Sequence, residues 1–125
     1  MTILPFTRSY IAWDQDPDDS EWPMLECINS ATGERAAIDY AGVRVVSYHP
    51  GDTMAILHCH CIVTMEGQCL AALHEPLAEH RIRTIRTFAA DIFRPPAPGT
   101  PLVERLTIVM RPPTPEDWER WVYTR

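Results

Sequence analysis

Twelve prolines punctuate this 125-residue chain, and that feature limits its fold most. A proline has no amide donor and clashes with the preceding turn, so it opens or ends a helix but is excluded from its interior. Long helices therefore have little room, and strands joined by turns are expected. The chain is 46% apolar, too rich for a disordered tail. At this length folding buries roughly two thirds of the unfolded surface, enough for one core without a metal or disulfide staple. One domain over residues 1–125 is the expectation.

Period-two patterns and turn residues divide the chain. Residues 14–24 form an acidic loop containing Pro17 and Pro23. A strand over 24–30 leads into a hairpin turn at 31–34, where Gly33 supplies a positive φ. Residues 35–48 return as strand, with Gly42 as a second turn or a bulge, and 49–52 turn again. Residues 53–64 read as one central strand. Glu66 and Gly67 mark a turn, and 68–73 form the next strand. Residues 74–80 connect to a strand at 81–88, where the alternation changes frame between Ile82 and Ile85, as a bulge would produce. A proline-rich linker spans 95–101, and a strand follows at 103–110. The end is a helix over 115–123. Thr114 caps it, Pro115 takes its first position, and Glu116 and Asp117 meet the positive end of the dipole. Trp118, Trp121 and Val122 share one face of it. The fold class is mainly β: a small barrel or strongly curled antiparallel sheet with a short C-terminal helix.

Charge narrows the function. Seventeen acidic groups face eleven basic ones, a net −6, which argues against a general nucleic-acid coat. Every cation is an arginine, a planar fork suited to carboxylate and phosphate. No apolar run reaches the ~18–20 residues needed to cross a bilayer, so no membrane role is expected. The first residues lack the basic start and apolar run of a secretory leader. A cytoplasmic location with Cys27, Cys59, Cys61 and Cys69 as free thiols is therefore expected.

Three constellations are candidates for function. Arg81, Arg83 and Arg86 place three forks on one strand, where they would take an anionic ligand or nucleic acid; the alternative is a charged edge that discourages aggregation. Asp14, Asp16, Asp18 and Asp19, flanked by Trp13 and Trp22, would suit a basic protein partner. As a calcium loop this stretch fails, because Asp19 stands where glycine is needed and Leu25 where glutamate is needed. On a strand, His58 and His60 of the run His58-Cys59-His60-Cys61 point together and would hold a transition metal, with His49, His74 or His80 completing the site. The structural alternative packs the cysteines inside and leaves the histidines at a partly exposed face. No cofactor is expected unless that metal is present. No phosphate-cradling glycine loop, nucleophile elbow or zincin pattern occurs.

Two resemblances bear on these sites. Residues 44–93 contain Arg44-Val45-Val46-Ser47-Tyr48, Gly51-Asp52, Glu66-Gly67, Gln68-Cys69-Leu70-Ala71-Ala72 and Arg83-Thr84-Ile85-Arg86. This succession resembles a WYL domain, a small Sm-like or SH3-like barrel found in bacterial transcription regulators and CRISPR-associated accessory proteins. The resemblance implies a ligand- or nucleic-acid-sensing module with Arg83 and Arg86 at the binding face. The run from His49-Pro50-Gly51 to His58-Cys59-His60 is similar to the first motif of cupins, which implies a metal-dependent enzyme. The leading expectation is a non-catalytic regulatory or interaction module binding an anion through the arginine strand, with a homo-oligomer possible. The alternatives are an acidic protein-binding inhibitor of phage or immunity type, and the cupin-like enzyme.

Overall fold

The computed structural model describes residues 8–15 and 21–123. Among these residues, ten strands and two short helices succeed one another. They are β1 (Arg8–Ser9), β2 (Trp13–Gln15), β3 (Met24–Ile28), β4 (Arg35–Asp39), β5 (Val43–His49), β6 (Thr53–His58), β7 (Ile62–Gln68), α1 (His74–Ala78), β8 (Ile82–Arg86), β9 (Phe93–Arg94), β10 (Leu102–Val109) and α2 (Pro115–Trp118). The fold is mainly β, as its period-two pattern predicts. The strands form two four-stranded sheets, ordered β10-β7-β6-β5 and β2-β8-β3-β4, and a small β1-β9 pair. The described residues form no closed barrel, and β3–β8 and β1–β9 run parallel.

The β10-β7-β6-β5 sheet is two-sided by register. Val46, Ile56, Val63 and Ile108 form one inward row, and Tyr48, Met54, Met65 and Leu106 the next. These rows share one core with Leu25, Cys27 and Ile38 of the second sheet. Fully burying such a side chain contributes about 1.5–3 kcal/mol. Two tyrosines stitch the layers together. Tyr10 donates its hydroxyl to the Arg86 carbonyl at 2.6 Å and accepts from the Val103 amide at 3.0 Å, bridging β8 and β10. Tyr40 donates to the Ile82 carbonyl at 2.6 Å. Burial pushes the Tyr10 phenol up to about 12, so it remains a donor.

The turns follow local chemistry. Gly33 sits at φ 79° in the hairpin, its amide donating to the Asn29 carbonyl at 2.7 Å. Gly51 at φ 96° and Asp52 at φ 56° turn β5 into β6. The Asp52 carboxylate accepts from the Tyr48 hydroxyl and the Leu70 amide, each at 3.1 Å, which fixes that hairpin to the segment after β7. On β8, Ile82 and Thr84 face consecutive β2 residues, so Arg83 is the extra residue of a bulge. Ile82 and Ile85 thereby both enter the core, resolving the frame change in the sequence.

Four expected features differ: Glu66 and Gly67 mark no turn but lie within β7, paired with β10, and three elements change. Residues 53–64 are two strands, because the chain reverses at 59–61. Residues 68–73 do not continue as strand: Cys69 adopts φ 56° and Leu70–Leu73 wind into a 3-10 turn leading to α1. The C-terminal helix is α-helical only over Pro115–Trp118 and passes into a π-helical turn at Glu119–Tyr123. Its cap forms as expected, with the Thr114 amide and hydroxyl donating to the Asp117 carboxylate at 2.8 and 2.9 Å. Trp118 and Trp121 are half-buried, whereas Val122 is exposed. No helix among the described residues is long and apolar enough to cross a membrane.

Candidate functional site

The three arginines of the β8 region meet different fates. Arg81 places a guanidinium nitrogen 2.6 Å from Glu79 and 3.9 Å from Glu75. Arg86 grips Asp14 with both fork nitrogens, at 2.7 and 3.2 Å, and donates to the Ile11 carbonyl at 2.8 Å. Such bidentate pairing gives geometric fixity as well as energy. Arg83 is exposed, its guanidinium carbon 5.2 Å from the Trp22 ring centroid, and it makes no ion pair among the described residues. The bulge on β8 is what turns Arg83 outward between its buried neighbours Ile82 and Thr84.

Arg83 borders a hollow of about 230 Å³ that includes Trp22, Met24, Glu26 and Ala37. Glu26 is already engaged with Arg35 across the β3–β4 pair at 3.6 Å. The Trp22 amide donates to the His80 carbonyl at 2.8 Å, anchoring the indole beside β8. Trp22 Nε1 is buried and has no hydrogen-bond acceptor among the described residues. Sequence reasoning assigned Trp22 to the acidic surface and Arg83 to the arginine strand, and missed that the two form one unit. No local signal joins them, because they are brought together by the parallel pairing of β3 with the distant β8.

Of the acidic surface, Asp16, Asp18 and Asp19 lie outside the described residues. Asp14 belongs to β2 rather than to a loop, and Arg86 holds it. Trp13 and Trp22 pack against the core.

The His58-Cys59-His60-Cys61 run is a hairpin reversal, so the shared strand face expected for His58 and His60 does not exist. His58 ends β6 with 3% of its surface exposed. Its Nε2 lies 2.9 Å from Asp39 Oδ1, and its Nδ1 accepts the His60 amide at 3.0 Å. Both ring nitrogens are thus engaged, and the Asp39 carboxyl is held below its ordinary range chiefly by the hydrogen bond from His58. The His60 ring is exposed, its centroid 5.7 Å from that of His58. His74 Nε2 is 2.9 Å from the Val46 carbonyl, His80 stacks on Tyr40 at 4.6 Å, and His49 contacts the Trp121 carbonyl at 2.8 Å. Among the described residues no three or more His, Cys, Asp or Glu side chains converge as a metal site. The cysteines are free, and burial pushes the Cys27 thiol up to about 12, which makes it a poor nucleophile.

No family model, curated protein or solved structure matches this chain.

Proposed function

We propose that the protein is a small non-catalytic regulatory or interaction module that takes an anionic group, such as the phosphate of a ligand or nucleic acid, at Arg83. The observation carrying this reading is the contrast along β8. Carboxylates neutralise Arg81 and Arg86, while Arg83 stands exposed over Trp22 without an ion pair among the described residues. A guanidinium stacked on an indole is oriented but keeps its in-plane donors open for an oxyanion. This agrees with the WYL resemblance in giving Arg83 to the binding face and departs from it in making Arg86 a structural residue.

Titration with inorganic pyrophosphate, followed by the arginine Nε–Hε NMR signals, tests the reading. The Arg83 signal should move saturably. Arg83→Ala should weaken binding by about tenfold or more, which is a loss of about 1.4 kcal/mol, with the fold intact. Unchanged affinity in that variant, or an Arg83 signal that stays fixed, would overturn the proposal.

A further inference from the structure

A second cleft lies on the opposite side of the β10-β7-β6-β5 sheet from the core. Register sorts the outward side chains into three rows. His49, Thr53, Glu66 and Arg105 form a polar row, Ser47, Ala55, Thr64 and Thr107 a small one, and Val45, Leu57, Ile62 and Val109 an apolar one. The C-terminal segment crosses this face as a strap. Arg111 pairs with Asp117 at 2.7 Å where the strap begins. At its far end the Trp121 carbonyl accepts from the Ser47 hydroxyl and lies 2.8 Å from His49 Nε2, with the indole edge-on to the His49 ring.

Between strap and sheet remains a cleft of about 310 Å³. That places it at the small end of the roughly 300–1,000 Å³ typical of ligand sites. Its floor carries Ile62 and Val109 at one end and Thr53, Thr64 and Glu66 at the other, and Arg120 and Trp121 line it from the strap. Among the described residues the two threonine hydroxyls make no side-chain hydrogen bond, so they are available to a guest. Arg111 and Asp117 cancel one another. Arg120 lies 5.0 Å over the Trp121 ring and makes no ion pair among the described residues. Among the described residues Glu66 pairs only with Arg105, 3.6 Å away and 75% exposed, a pairing that contributes little in water.

One cation and one anion are thus left to a guest, beside hydroxyls and an aliphatic floor. We infer that this cleft binds a small zwitterion of the α-amino-acid type with an aliphatic side chain. Its carboxylate meets Arg120, its ammonium meets Glu66 and the threonine hydroxyls, and its side chain lies on Ile62 and Val109. A neutral ligand with one charge of each sign matches the lining, whereas a purely anionic or cationic one leaves Glu66 or Arg120 unmatched. This site is separate from Arg83 and does not depend on the function proposed there.

The test uses the full chain and L-leucine as probe, read by ligand-observed NMR and calorimetry. 4-Methylpentanoate and 3-methylbutylamine serve as arms that each lack one charge. Leucine should bind, and each arm should bind about tenfold more weakly, the equivalent of about 1.4 kcal/mol. Arg120→Gln, an exposed change checked for fold by circular dichroism, should weaken leucine by a similar factor and abolish its advantage over the amine. Arg83→Ala should leave leucine binding unchanged. The inference is overturned if leucine does not saturate by about 10 mM, if Arg120→Gln has no effect, or if Arg83→Ala removes the binding instead.

Discussion

Gly42 approaches His58 so closely that a Cβ on residue 42 would fall 2.3 Å from its Nε2 and 2.5 Å from its Cε1. The ring cannot retreat, because Asp39 holds one nitrogen and the His60 amide the other. Gly42→Ala should therefore cost about 2–3 kcal/mol through overpacking, while His60→Ala should stay within about 0.5 kcal/mol. Urea unfolding of both variants checks this. A Gly42→Ala protein as stable as wild type would show the ring to be free to move.

Arg86 and Arg83 occupy one strand, yet only Arg86 should matter for stability. Its fork joins Asp14 and the Ile11 carbonyl, tying β2 to β8. Arg86→Ala should cost about 1–2 kcal/mol, as expected for a half-exposed, charge-assisted pair. A double-mutant cycle with Asp14→Asn should return roughly 1 kcal/mol of coupling. A cycle that closes at zero would mean that the carboxylate contributes nothing to holding Arg86.

Acid should loosen the C-terminal strap before it unfolds the core. The Asp117 carboxyl is held down at about 2, first by the Arg111 guanidinium and then by the amide and hydroxyl of Thr114. A folded pKa below the unfolded value of 3.8 means this stabilisation is complete above that value and is lost as pH falls toward 2. Near-ultraviolet circular dichroism, to which Trp118 and Trp121 contribute beside Trp13 and Trp22, should change in that window. In Asp117→Asn the strap should already be loosened at neutral pH and the acid step should be missing. Identical acid profiles for the two proteins would show that Asp117 does not hold the strap.

The sequence by itself determined what short-range chemistry controls. Gly33 and Gly51 marked turns, because each supplies a positive φ that other residues resist. Thr114, Pro115 and Asp117 marked a helix start, because cap and carboxylate are at most three residues apart. The frame change between Ile82 and Ile85 announced the bulge on β8. The tertiary structure decided which polar side chains are already spoken for. Asp14 lies 72 residues from Arg86, and Trp121 lies 74 from Ser47, so no local pattern records either contact. The His58-Cys59-His60-Cys61 run misled for the same reason. Its β-forming composition suits a strand, but the hairpin pairing of β6 with β7 sets its reversal inside the run. Periodicity reports which face a residue occupies. The partners waiting on that face are set by long-range pairing, and they separate Arg83, without an ion pair among the described residues, from Arg81 and Arg86, which carboxylates hold.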